Sequence, residues 1–126
     1  MRLLLDTHAF VWAMGMVSLL PERVADAIRD PDNEVWISAV SAYEIDYKRD
    51  RDVDLGRLPF DVVLAGAGLP AQWLAVTPEH AVVGARLPKT FKDPWDRVIA
   101  AQAQVEGLTL VSRDPAMVRM GAHVLW

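Results

Sequence analysis

The chain contains no cysteine. That absence removes disulfides, thiol nucleophiles and thiolate metal sites together, and leaves oxygen and imidazole as the donors any bound metal would use. A reducing, cytoplasmic setting fits such a composition. Long apolar runs are also missing: the opening MRLLLDTHAF has three consecutive leucines before an aspartate, too short a run for a signal peptide or a membrane span. The first apolar run lacks the glycine fingerprint of dinucleotide binding, and Gly66, Gly68 and Gly84 form no phosphate loop, so a nucleotide cofactor is disfavoured. No serine and histidine constellation specifies nucleophilic catalysis. Positive charge is in deficit, with 13 Lys and Arg against 17 Asp and Glu, so a nucleic acid would have to be met by a local basic patch.

What is present is enough for one compact domain. The chain has 126 residues, of which 52% are hydrophobic, and neither a repeat nor a linker divides it, so residues 1–126 read as a single unit. RLLLD is a short apolar run closed by an acid, and THAFVWAMG after it has helical length. The same alternation follows: LPERVADAIRD helix, EVWIS strand, AVSAYEIDYKRD helix, RDVDLGRL connector, PFDVVLAGAGL helix, QWLAV strand, TPEHAVVGARL helix. It ends with DPWDRVIAAQAQVEG as a long helix, LTLVS as a strand, RDPAMVRM as a short turn or helix, and AHVLW as an edge strand. Parallel strands need crossover connections, so this pattern predicts an α/β domain: a mainly parallel sheet covered on both faces, in three layers.

Four acids occupy corresponding places in that scheme. Asp6 follows the first strand, Glu44 lies in the helix after the second, Asp96 is in the first turn of the long helix, and Asp114 follows the fourth strand. Strand carboxyl ends and the amino ends of the following helices share one edge of a parallel sheet, so all four are expected to face it. Each also has a plain explanation as a helix cap. Asp6 and Asp114 are placed as N-caps, Asp93 caps a helix beginning at Pro94, and Ser41 and Glu44 have the spacing of a capping box. Caps do not explain convergence. Carboxylates gathered within about 4–6 Å raise one another's pKa unless a cation neutralises them. Mg²⁺ or Mn²⁺ suits such hard oxygen ligands and would support hydrolysis of a phosphodiester; a receiver-like acidic pocket or a structural cluster would look similar.

Thr7, Ser38 and Ser112 sit beside strand ends, where a hydroxyl orients a carboxylate or simply closes a turn. His8 is read as lining the cleft, and His80 and His123 as satisfied surface or partly buried residues. Two basic groups are candidates for nucleic-acid phosphates: Lys48, Arg49, Arg51 and Arg57, and Lys89, Lys92, Arg97 and Arg113. The five tryptophans are assigned mostly to packing.

Taken in order, LLLDTHAFVW, ISAVSAYEI with the lysine that follows, DPWDRVIAAQA and LTLVSRDPAM resemble the PIN-domain ribonucleases, specifically VapC-like toxins of type II toxin–antitoxin pairs. The resemblance spans Leu3 to Met117 and implies an α/β/α PIN fold and metal-dependent endoribonuclease activity. It also implies a homodimer, a cognate antitoxin protein that inhibits it, a larger complex of the two, and no membrane association. It makes Asp6, Glu44, Asp96 and Asp114 both catalytic and metal-holding, with Mg²⁺ or Mn²⁺. Asp93 matches the additional aspartate of the motif and is assigned mainly to capping and support, Thr7 to support, and Lys48 to pairing with an acid or touching RNA. Trp95 stands where phenylalanine is common, Phe91 and Lys92 stand where many relatives have a histidine, and EIDYKRDRDVDLGRL departs from the shorter, more apolar connection expected. A catalytically inactive PIN-fold binding module is the alternative; such a relative would be expected to have lost one or more acids, and all four are here.

Overall fold

A computed structural model of the chain describes residues 1–58 and 69–126. The helix expected over PFDVVLAGAGL falls almost wholly on residues 59–68, outside the described residues. The elements run β1 (Arg2–Leu5), α1 (Thr7–Gly15), α2 (Glu22–Arg29), β2 (Glu34–Ser38), α3 (Ala39–Lys48), β3 (Ala71–Leu74), α4 (Pro78–Arg86), α5 (Pro94–Glu106), β4 (Thr109–Val111), α6 (Pro115–Arg119) and β5 (Val124–Leu125). Short 3₁₀ turns lie at Val17–Leu19 and Leu55–Arg57.

The five strands form one sheet in the order β3-β2-β1-β4-β5, and every pairing is parallel. The sheet is therefore wholly parallel where the sequence led us to expect mainly parallel. β1 is central because its leucines are apolar on both faces. Leu3 and Leu5 point into one core with Phe10, Trp12, Val24, Ile28, Val35, Ile37 and Ile45; Leu4 points into the other with Ile99, Ala100, Ala103, Leu110 and Met117. Alternation at period two on a strand buried on both sides is what a three-layer α/β/α arrangement requires.

Helix boundaries follow local chemistry. Asp6, Asp93 and Asp114 each accept a backbone N–H of the helix they precede, with Pro94 and Pro115 in the first turn. α5 ends at Gly107, whose φ of 65° is the left-handed conformation that a helix terminus uses. One cap differs from expectation. α3 starts at Ala39 with Ser38 as its cap, accepting from the Val40 amide at 3.1 Å. Ser41 and Glu44 are then in the helix interior and form no capping box, because the strand ends three residues earlier than that box would need.

The connector after α3 is more ordered than its polar composition suggested. Leu55 is fully buried, Arg49 reaches the Leu58 carbonyl, and a Cβ at Gly56 would lie 2.6 Å from the Arg49 carbonyl oxygen. Only glycine fits there without moving backbone. His80 is also more buried than expected. It completes a capping box with Thr77 at the start of α4, and its Nε2 lies 2.8 Å from Glu106 Oε1. No helix among the described residues is long and apolar enough to cross a membrane.

Candidate active site

In this strand order the chain reverses direction of travel across the sheet between β1 and β4, and the crevice at such a switch point is where parallel α/β sheets bind ligands. Asp6 leaves the end of β1, with its amide donating to Val111 at the end of β4 at 3.0 Å. Asp114 follows β4 on the same edge, α5 begins there with Asp93 and Asp96, and α3 carries Glu44 toward it. Asp6, Thr7, His8, Glu44, Lys48, Asp93, Asp96 and Asp114 line one cleft of about 150 Å³. The structure thus brings all four expected acids, and the three expected supporting residues, to a single place. A second hollow of about 230 Å³ shares Asp93, Asp96 and Asp114 and is walled by Phe91, Lys92 and Met120.

The acids are not equivalent. Asp6 Oδ1 accepts from the Ala9 amide at 2.8 Å, Asp93 Oδ1 from the Trp95 and Asp96 amides at 3.0 and 3.2 Å, and Asp114 Oδ1 from the Ala116 amide at 2.9 Å. Each of these three acts as a cap while its second oxygen is left for other partners. Glu44 and Asp96 cap nothing. Glu44 is 3% exposed in the middle of α3, its Oε2 2.7 Å from Lys48 Nζ, its Oε1 buried with no hydrogen-bond partner. A buried carboxylate oxygen without a partner is costly and calls for a ligand. Asp96 is pushed up to about 8 by burial and then by the charges of Asp93, Glu44, Asp6 and Asp114. Burial raises Asp6 as well, against the opposing effects of Ser112, the Ala9 amide and His8.

The only counter-charge in direct contact with these acids among the described residues is Lys48. Burial works against its ammonium, but the hydrogen bond and charge of Glu44, with Asp93 and Asp96 behind, hold its pKa above the usual lysine value. One lysine against five carboxylates leaves a strongly negative, water-accessible cleft. The donors are all oxygen, the type that Mg²⁺ and Mn²⁺ prefer, and the orphaned Glu44 Oε1 and the protonated state favoured at Asp96 are the marks of a site short of positive charge. The residues fit a divalent cation. They do not form a closed cage: among the described residues no group of three acids or histidines is already drawn together as a coordination sphere.

A family model for the PIN domain matches residues 3–122. The chain belongs to the PIN-domain family. No curated protein sequence matches it significantly. Among solved structures, a chain of VapBC2 from Rickettsia felis bound to a DNA fragment from their promoter superposes with a TM-score of 0.73 at 16% identity, covering 99% of this chain and 98% of that one. A chain of DNA-bound VapBC from Salmonella typhimurium gives 0.66 at 18%, covering 99% and 97%. A chain of FitAcB from Neisseria gonorrhoeae gives 0.63 at 22%, covering 98% and 96%. At these identities the likeness is one of fold, and it extends over the whole length of both chains.

Within this PIN domain, several basic residues considered for RNA are already engaged. The Arg97 guanidinium donates to the carbonyls of Ala85, Leu87, Pro88 and Phe91, with contacts of 3.2, 2.7, 2.7 and 2.5 Å. Lys89 donates to Ala85 O at 2.6 Å, Arg49 to Asp46 and Leu58, and Arg113 lies over the Trp12 ring at 4.7 Å. Arg97 is therefore a clamp on the loop that delivers Asp93 to the cleft, and the sequence offered no sign of this because its four partners are carbonyls. Replacing it by methionine, which keeps much of the volume, is expected to lower stability by about 2 kcal/mol or more, read as a shift in the urea midpoint.

Thr7 lines the cleft, but its hydroxyl bonds Ser41 Oγ at 3.0 Å rather than a carboxylate; it pins α1 to α3. Ser38 is likewise spoken for as the α3 cap, whereas Ser112 accepts from the Asp114 amide at 3.1 Å and its hydroxyl also favours the ionised Asp6. For Asp93, the capping part of its assignment can be isolated. Asp93→Asn keeps the acceptor oxygen and should leave stability nearly unchanged, whereas Asp93→Ala should cost about 0.5–2 kcal/mol in chemical denaturation.

The tryptophans divide as expected, with one exception. Trp12, Trp36, Trp73 and Trp126 pack on the two cores. Trp95 instead sits beside the cleft with Tyr43 and Tyr47, under Lys48 Nζ at 4.7 Å.

Proposed function

We propose that this PIN domain is an endoribonuclease that hydrolyses RNA phosphodiester bonds with Mg²⁺ or Mn²⁺, and that it is the VapC-like toxin of a toxin–antitoxin pair. The observation that carries the catalytic part is the cleft itself: five carboxylates on one sheet edge, one of them pushed to about 8 and another with a buried, unpartnered oxygen. Asp6, Glu44, Asp96 and Asp114 would hold the cation. A divalent ion so held supplies the charge that neutralises developing negative charge on the phosphate and makes a water acidic enough to attack.

The chain's own groups prepare that site. Asp93 orders the first turn of α5, which presents Asp96; Arg97 secures the loop before it. Lys48 pairs with the buried Glu44 at 2.7 Å and offers its ammonium to a non-bridging phosphate oxygen at the cleft wall. Hydrolysis adds water across one P–O bond, so one product leaves with the phosphate and the other with a hydroxyl, and the proton released by the water passes to the carboxylate-rich cleft.

The toxin part rests on the family and on neighbours of known assembly: chains of VapBC and FitAB complexes share the fold from end to end. An antitoxin protein is the partner this implies, with a homodimer of the toxin at the centre of the complex. The deciding experiment is cleavage of labelled structured RNAs by antitoxin-free protein in Mg²⁺, Mn²⁺ or EDTA, with Asp6→Asn and Asp96→Asn alongside. Cleavage dependent on metal and lost in both variants supports the reading. Absence of cleavage together with absence of divalent-metal binding would sink it in favour of a binding module.

A further inference from the structure

The aromatic group beside the acidic cleft has no part in the chemistry above and is not explained by packing. Tyr43 and Tyr47 are one turn apart on α3, 61% and 52% exposed, with ring centroids 5.8 Å apart and planes within 11° of parallel. Trp95, half-buried at the start of α5, closes on both, at 6.0 Å from Tyr43 and 5.7 Å from Tyr47. The rings stack on one another, yet Tyr43 and Tyr47 still leave more than half of their surface in water, area that a flat ligand would cover.

Position and charge say which ligand. Glu44 lies between Tyr43 and Tyr47 in α3, and Trp95 lies between Asp93 and Asp96 in α5. Lys48 bridges the two regions, 2.7 Å from Glu44 Oε2 and 4.7 Å from the Trp95 ring centre. The Arg51 guanidinium covers Tyr47 at 5.0 Å. Rings interleaved with cations, continuous with a phosphodiester cleft, match a strand that alternates flat bases with phosphates. An apolar protein surface would have to desolvate Lys48 and Arg51 without returning a charge to them.

Building on the ribonuclease reading, we propose that Tyr43, Tyr47 and Trp95 form a stacking platform for an unpaired nucleobase next to the scissile phosphate, with Lys48 and Arg51 meeting the adjoining phosphates. A base inside a duplex has both faces covered and cannot reach the rings, so the substrates are RNAs that are single-stranded at the cut. Stacking accepts any base, so the platform selects for strandedness more than for sequence.

The test is binding of a short single-stranded RNA carrying 2-aminopurine, whose emission is quenched on stacking. It is measured with the full chain in EDTA and again with Ca²⁺. The wild type should quench it. The Tyr43→Ala, Tyr47→Ala double variant should bind roughly tenfold to a hundredfold more weakly, the corresponding double phenylalanine variant should bind as the wild type does, and the same RNA in duplex form or with an abasic site should lose the tyrosine-dependent gain. Circular dichroism checks the fold of each variant and sedimentation velocity its oligomeric state. Equal binding by the alanine and wild-type proteins, or no binding by the wild type, overturns the proposal. So does a change of oligomeric state in the alanine variant, which would make the patch an interface between copies. Cleavage without tyrosine dependence would discard the platform and keep the ribonuclease; tyrosine-dependent binding without any cleavage would do the reverse.

Discussion

Asp96→Asn should abolish metal-dependent RNA cleavage, lowering kcat/KM by at least about 10³-fold, a loss of roughly 4 kcal/mol of transition-state stabilisation. The size of the effect comes from where Asp96 stands. Its carboxyl feels all four other acids of the cleft and caps no helix, so its charge is spent on the site. Asparagine keeps the shape and the helix but removes the charge, and a neutral amide is a poorer ligand for a hard divalent cation. Asp93→Asn is the internal control. Asp93 is three residues away on the same turn, and its defined task is to accept the Trp95 and Asp96 amides, which asparagine also does. A far smaller loss is expected there. Equal losses in the two variants would mean that Asp93 is a ligand in its own right, and wild-type activity in Asp96→Asn would remove Asp96 from the catalytic group.

The same residue should make the metal-free protein less stable as pH rises. With a folded-state pKa of about 8 against an ordinary value of 3.8, the native protein keeps a proton on Asp96 that the unfolded chain has released. Stability from this proton is fully present below pH of about 4 and is lost as pH climbs through about 8, with a slope of at most about 1.4 kcal/mol per pH unit in between. Above that the loss is complete and the curve levels. Asp96→Asn has no charge to confine, so its metal-free form should exceed the wild type by on the order of 2–5 kcal/mol at pH 9 and by little near pH 4. Urea denaturation across this range in EDTA measures it. Saturating Mg²⁺ should flatten the wild-type curve, since a cation in the cleft replaces the proton. A wild-type curve in EDTA with the same slope as the variant would show that the carboxylates do not crowd Asp96 in solution.

Both expectations depend on the cleft being assembled by long-range folding, and this divides what the sequence determined from what it did not. Signals acting within about four residues were readable. The short leucine run of β1, the proline and aspartate starts of α5 and α6, and the Gly107 terminus are each decided by the backbone geometry of their own segment. The alternation of strands and helices then required crossovers and a parallel sheet, and a parallel sheet gathers the ends of its strands on one edge, so the meeting of Asp6, Glu44, Asp96 and Asp114 was legible before any coordinate.

Tertiary structure decided the rest, because the partners involved are distant in sequence or are backbone atoms that carry no residue-type signal. The capping box read at Ser41 and Glu44 is absent: Ser41 bonds Thr7, 34 residues away, and Glu44 is buried for the cleft. Arg97 looked like a cation awaiting phosphate and is consumed by four carbonyls. His80 is buried through Glu106, which is 26 residues further along. Trp95 stood out in the sequence only as a departure from a common phenylalanine, and it is the crossing of α3 and α5 that sets it against Tyr43 and Tyr47. Sequence spacing determines which residues share a turn or an edge. Only packing determines which of them lose water, and loss of water, with the neighbouring charges, is what turns a carboxylate in the first turn of a helix into one that holds its proton to about pH 8.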